Sequence, residues 1–367
     1  MKKVFFLYDF YYDFSKHFIT IGGIQTYISD LVRICLEEGL EVKVCQMGAS
    51  NETVQIENYI IEQFKVKPLD YAAFFEKVYE QIDNYTLVIF ATETIVPNNL
   101  RGINNIGIQH GIYWDIPYYT RKNMVRMYLS KAVRNYKIVR HIQELNTLVC
   151  VDYNYVNWLR AETDYLSTNL RVIPNYTKIS PLCKKSGDMI NIIFARRLFE
   201  YRGTRIFTTA IKRILDEYSN VNVTVAGTGP DEGYMKQELS KYNNVEFITY
   251  KSEESLQIHA NKHIAVVPTV GSEGTSLSLL EAMSAQCAVI ASNVGGMTNI
   301  ILDNYNGLLV NAGDSDDLYK AIKKLLDYPE DRERLSAKAY ETVKQAFSYE
   351  KWAEKWKEVL SSFIETK

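Results

Sequence analysis

What this 367-residue sequence does without excludes several classes of protein at once. Its five cysteines, at positions 35, 45, 150, 183 and 287, form no C-x-x-C pair. Neither a structural zinc site nor a disulfide framework is therefore indicated, and reduced thiols in a cytoplasmic protein are the expectation. No segment approaches the ~20 apolar residues of a membrane span. The opening MKKVFFLYDF has only VFFLY between its lysines and Asp9, too short a core for a signal peptide, and reads as a first strand. Charge of either sign is not in excess: 42 Lys and Arg stand against 44 Asp and Glu, a net charge of -2, which gives no electrostatic reason to expect nucleic acid. Neither a solenoid-length repeat nor a low-complexity tract occurs. What is present is a globular composition, 47% hydrophobic and 23% charged. The length exceeds that of one ordinary core, so two domains are expected.

Short apolar runs rich in β-branched and aromatic residues alternate with longer amphipathic stretches. VFFLY (4–8), EVKVCQ (41–46), TLVIFA (86–91), NIGIQH (105–110) and TLVCVD (147–152) read as strands, with a helix over about 24–38 that Gly39 ends. The rhythm breaks at PNYTKISPLCKKSGDM (174–189), a linker by composition. A second series follows: INIIFA (190–195), VNVTVAG (221–227), VEFITY (245–250), IAVVPT (264–269), AVIAS (288–292) and GLLV (307–310). This alternation predicts α/β architecture with parallel sheets and helices on both faces. The expected layout is two doubly wound Rossmann-like domains facing a cleft, 1–176 and 177–350. A helix over 351–367 carries Trp352, Trp356 and Leu360 on one face and is expected to return to the first domain. Ligands in such folds lie beyond the carboxyl ends of the strands.

Four features fall at strand ends. Gly22 and Gly23 precede the first helix, where backbone amides can approach an anion or simply make a turn. ARRLFEYRG (195–203) sets Arg197 and Arg202 five apart before Gly203; two arginines there suit a diphosphate, or a solvated basic patch. AGTGPDEG (226–233) resembles a dinucleotide fingerprint but has Glu232 where the third glycine belongs, leaving a turn at Gly229 that closes on the ligand. EGTSLSLLE (273–281) admits two readings. Ser278 and Glu281 fit an S-x-x-E capping box. Alternatively, the amides of Gly274, Thr275, Ser276 and Leu277 wrap a phosphate at a helix start, with Glu273 facing what the phosphate carries and Glu281 accepting from a ribose diol. Taken together, the features outline a pocket for a nucleotide sugar.

Here the sequence resembles glycosyltransferase family 4, over nearly its whole length. The resemblance rests on GGIQTYISDLVRICLEEGLEV, RRLFEYRG, VTVAGTGP and EGTSLSLLEAMSAQCAVIASNVGGMTNIILDNYNGLLV, the last carrying a Glu-x7-Glu signature as Glu273 and Glu281. It implies the GT-B fold, retention of anomeric configuration and catalysis without a divalent metal or other cofactor. The family's diphosphate-gripping arginine and lysine fall on Arg197 and Arg202, and its strand-end histidine on His110. Gln286 stands where the family has glycine. His259 and His263 are i, i+4 but have no acidic or cysteine neighbour to complete a metal site. DSD at 314–316 reads as helix capping.

The expected partners are a nucleotide-sugar donor and a glycan or lipid-linked acceptor. From Arg121 to Arg140 the chain has seven basic residues and no acidic one, with Met124, Met127, Tyr128 and Val133 interleaved. Such a face suits an anionic membrane surface, or is a solvated helix, and would place a cytoplasmic protein peripherally on the inner face of the membrane. The loop YDFYYDFSKHF (8–18) shapes an acceptor site or merely packs. Two other readings stay open: a nucleotide-sugar epimerase of the same fold, and a non-catalytic nucleotide-sugar-binding subunit.

Overall fold

The structure is a computed structural model that describes residues 2–20, 22–111, 124–163, 166–181, 185, 187, 189–271 and 273–365. Arg121, Lys122 and Cys183 lie outside the described residues, as does Ser272. The chain forms two compact units: residues 1–110, 122–173 and 353–367 make unit 1, and 111–121 and 174–352 make unit 2.

In unit 1 the chain runs β1 (Lys3–Tyr8), β2 (Tyr12–Asp13), β3 (Phe18–Ile19), α1 (Gly23–Glu37), β4 (Glu41–Gly48), β5 (Glu52–Ile56), β6 (Tyr59–Lys65), α2 (Tyr71–Tyr79), β7 (Thr86–Phe90), β8 (Asn104–Gln109), α3 (Met124–Gln143), β9 (Thr147–Cys150), α4 (Tyr153–Glu162) and β10 (Asn169–Val172). The sheet order is β10-β9-β8-β7-β1-β4-β6-β5. Its central strands carry unbroken apolar runs because helices cover both faces: all five residues of β7 are buried. The sheet is not wholly parallel. β5 and β6 form an antiparallel hairpin with Ile56 opposite Tyr59, turning through Glu57 at φ 45°. ETVQIENYIIEQFK lacks the glycine that usually marks such a turn, so this edge hairpin was not expected from sequence.

Unit 2 runs β11 (Ile190–Ala195), α5 (Thr204–Glu217), β12 (Val221–Ala226), α6 (Glu232–Leu239), β13 (Val245–Ile248), α7 (Ser255–His259), β14 (Ile264–Val267), α8 (Leu277–Ser284), β15 (Ala288–Ser292), β16 (Leu308–Val310), α9 (Ser315–Asp327) and α10 (Pro329–Ala346). Its strands pair in parallel in the order β13-β12-β11-β14-β15-β16. That order reverses between β11 and β14, the switch point at which doubly wound sheets bind ligands. One core layer joins Phe194, Phe207, Ile211 and Val266 to α9; the other joins Ile193, Leu280, Met283 and Val289 to α10. Asp314 caps α9, accepting from the amides of Asp316 and Asp317.

α11 (Tyr349–Glu365) begins in unit 2, where the Trp352 ring packs tilted against Tyr176 at 4.4 Å between ring centroids. From Ala353 it belongs to unit 1. There Trp356 is fully buried and its indole N–H donates to the Tyr27 hydroxyl at 2.8 Å.

Candidate active site

At the switch point of unit 2, the chain after β11 continues the ladder for one residue: the Arg196 amide donates to Ala226 O at 2.9 Å. Successive side chains of an extended chain point to opposite faces, so of Arg196 and Arg197 only one turns inward. It is Arg196, 8% exposed. Its Nη2 donates to Glu273 Oε1. Arg197 is exposed and its guanidinium lies 5.7 Å from the Phe199 ring centroid. Arg202 reaches the same carboxylate from the other side, Nη1 to Oε2. Arg202 ends a 3-10 turn, and Gly203 behind it has φ 86°; a Cβ there would sit 2.0 Å from Pro268 O. Only glycine permits this turn to close against the end of β14.

Glu273, 6% exposed, is thus held between two guanidinium groups. Ser276 Oγ adds a third hydrogen bond, donating to Oε1 at 2.8 Å. Its backbone is pinned as well. Gly296 N donates to Glu273 O at 2.8 Å, and a Cβ on Gly295 would come within 2.1 Å of that oxygen. Thr275 and Ser276 are buried, and Thr275 O accepts from Asn175 Nδ2 at 2.9 Å. Leu277 is 39% exposed. Gly229 packs against the Leu198 carbonyl at the end of β12.

The capping-box reading of Ser278 and Glu281 does not match this geometry. The N-cap of α8 is Ser276, and no side chain caps the helix. Ser276 spends its hydroxyl on Glu273 instead. Glu281 accepts from Ser255 Oγ at 2.5 Å. Burial pushes the Glu281 carboxyl up to about 7, opposed only by that hydroxyl. Burial pulls Arg196 down to about 10, and burial with the neighbouring Arg196 does the same to Arg202. Both stay cationic at neutral pH.

In unit 1, Gly22 precedes α1, whose first turn carries no side-chain cap. His110 follows β8, edge-on to Tyr27 of α1 at 4.9 Å between ring centroids. Burial lowers the imidazole to about 4 despite its bond to the Ala91 backbone, so it is neutral at physiological pH. Its Nε2 is buried and has no partner among the described residues. His259 and His263 do not face a common ligand: His259 Nδ1 bonds Ser255 O and His263 Nδ1 accepts from the Asn191 amide. No group of three potential metal ligands occurs among the described residues.

Among the sequence-predicted residues, the structure joins Glu273, Arg202 and Ser276 directly and places Glu281 farther along α8. It adds Arg196, which sequence reasoning passed over. The available signal was the alternation rule applied to adjacent arginines at the end of a strand.

Residues 180–342 match the family model of glycosyl transferases group 1. An uncharacterised glycosyltransferase of Methanocaldococcus jannaschii is 30% identical over 56% of this chain and 56% of its own length. The lipopolysaccharide 1,2-N-acetylglucosaminetransferase of Salmonella typhimurium is 27% identical over 48% of this chain and 50% of its own. The chain thus spans about half the length of these curated relatives. In fold, Anabaena HepE in complex with UDP is similar over 98% of this chain and 100% of that one, with a TM-score of 0.77 at 16% identity. The fold is GT-B, built of two Rossmann-like domains.

Proposed function

We propose that this protein is a retaining, metal-independent glycosyltransferase of the hexosyltransferase type. It moves a sugar from a nucleotide-sugar donor to a glycan or lipid-linked acceptor, in synthesis of a surface polysaccharide or glycoconjugate. The observation that carries this is the Arg196–Glu273–Arg202 cluster at the switch point of unit 2, beside the uncapped start of α8.

Loss of the nucleoside diphosphate builds negative charge on the leaving oxygen. Preorganised guanidinium groups and helix-start amides stabilise that charge where it develops. Arg202 and the exposed Arg197 serve the diphosphate, with the amides of Gly274 to Leu277 and the turn at Gly229. Glu273, fixed by three hydrogen bonds, orients the transferred sugar, and Glu281 accepts from the ribose diol. The acceptor hydroxyl attacks the anomeric carbon on the leaving-group side. The bond to phosphate breaks, and the hydroxyl proton passes to the departing phosphate oxygen. In unit 1, Gly22 and Gly23 lie at the start of α1, and the neutral His110 carries an Nε2 lone pair able to accept from a hydroxyl.

Uridine is the first base to test, because UDP is the nucleotide in the HepE structure. For membrane contact, α3 presents exposed Val125, Tyr128, Leu129, Val133 and Tyr136 among basic residues. No helix among the described residues is long and apolar enough to cross a membrane. A peripheral position on the cytoplasmic face fits both facts. A donor screen reading nucleoside diphosphate release, with and without candidate acceptors and in EDTA, tests the reading. Acceptor-dependent release supports it. Release that only a divalent metal restores, or an epimer formed without acceptor, contradicts it.

A further inference from the structure

Arg196 is more than Glu273 requires. One N–H of its guanidinium, on Nη2, already meets Glu273 Oε1. Nη1 is buried and finds no partner among the described residues, in a side chain only 6% exposed. An unpaired donor on a buried cation is costly to leave unmade. The charges agree. Glu273 supplies one negative charge between two guanidinium groups, so the triad carries an excess positive charge away from water. Breaking or leaving such a cluster unbalanced is what destabilises buried ion pairs. Two phenols, Tyr250 and Tyr201, interact with Arg196, and Tyr250 is held in its neutral form by burial and by Glu281.

Position completes the argument. Arg196 is the residue immediately beyond β11, and Glu273 lies on the loop beyond β14. These are the two strands at which the sheet order reverses. The arginine's backbone is fixed by its ladder bond to Ala226 and by Gly227, where a Cβ would fall 2.0 Å from Arg196 O. A rigid, desolvated fork with one tine in use is suited to take an anionic oxygen with the other.

We propose that Arg196 is a donor-binding residue, its Nη1 donating a hydrogen bond to an anionic oxygen of the bound nucleotide sugar. This rests on the donor reading given above. Two sources carry such an oxygen: the diphosphate, and a carboxylate on an acidic transferred sugar.

The test is calorimetric titration of the intact wild-type protein with UDP, GDP, ADP, CDP and dTDP. The glucose and glucuronate conjugates of whichever base binds follow. The same titrations use Arg196→Met and Arg196→Lys, each checked for wild-type circular dichroism; lysine keeps the charge beside Glu273 and loses the planar fork. If Nη1 meets the diphosphate, both variants weaken the free nucleoside diphosphate and both conjugates alike, by about 10-fold or more. If it meets a sugar carboxylate, the nucleoside diphosphate and the glucose conjugate bind as before, and only the glucuronate conjugate weakens by a similar factor. Either pattern upholds the assignment. Folded variants that bind all probes like wild type overturn it and leave Arg196 as a brace for Glu273. Wild type that binds no nucleoside diphosphate defeats the donor reading itself, and this proposal with it.

Discussion

The two units use the same parts, a parallel sheet wrapped by helices, and furnish the ends of their strands in opposite ways. Around the switch point of unit 2, charge is brought inside and paired: Arg196 and Arg202 on Glu273. In unit 1 the buried titratable groups after the strands are held toward neutrality. Burial pushes Glu93 up to about 8 and Asp152 to about 6, and pulls His110 down to about 4. The charge of unit 1 sits outside, along the exposed face of α3. Fixed internal cations suit a ligand that always brings the same polyanion. A neutral interior suits hydroxyl groups. On the proposed function, this contrast predicts a donor recognised by electrostatics in unit 2 and an acceptor recognised by shape and hydrogen bonding in unit 1.

The sharpest way to break that contrast is Glu273→Gln. It keeps the shape of the side chain and removes the charge that both arginines share. A lost preorganised contact of this kind is expected to lower kcat by roughly 10²–10³ with little change in donor KM. Steady-state kinetics on protein with wild-type circular dichroism check this, and a loss confined to KM would assign Glu273 to ground-state binding.

On the unit 1 side, Arg126→Gln with Lys131→Gln should weaken association with anionic vesicles by about 10-fold or more, since each basic residue near such a surface contributes about 1 kcal/mol. Vesicle co-sedimentation reads the effect. Binding by wild type should fade as salt rises past ~0.1 M, where exposed charges are screened within ~10 Å. Equal sedimentation of variant and wild type would make α3 a solvated helix.

Much of the fold was legible in the sequence. The strand series in both halves and the apolar face of Trp356 and Leu360, both buried, come from apolar periodicity, a signal local in sequence. What escaped had two causes, a local turn without glycine and partners distant along the chain. The β5–β6 hairpin turns through Glu57 rather than glycine, so its turn carries no local mark. Which of Arg196 and Arg197 faces inward depends on a ladder bond to Ala226. The capping-box pattern at Ser278 and Glu281 is complete in sequence, yet Ser255, 26 residues away, takes the carboxylate. A local motif states what a helix start can do; the tertiary partner decides what it does.

Glu281→Gln sharpens the comparison within unit 2. As a ribose ligand, Glu281 should show its loss as a rise in donor KM of roughly 10-fold, about one charged hydrogen bond, with kcat nearly unchanged. Stability should move the other way. The native carboxyl sits near 7 and the unfolded one near the ordinary 4.5, so between those values the native state holds more protons than the unfolded one. Stability from this group therefore falls as pH rises from about 4.5 to 7. Glutamine removes that loss, so the variant should melt slightly higher than wild type at pH 8 and equally at pH 4.5. A variant that melts lower at both pH values would return Glu281 to a structural role.

The central claim is that the paired cations of unit 2 hold the donor diphosphate without a metal. Isothermal titration of the intact protein with UDP and the other common nucleoside diphosphates, in EDTA, tests it most directly when run beside Arg202→Met. The account predicts metal-free binding of at least one nucleoside diphosphate by wild type. It also predicts weakening by about 10-fold or more in the folded variant, the loss of a charge-assisted hydrogen bond. Binding that appears only on adding magnesium, or an affinity unchanged in Arg202→Met, would contradict it.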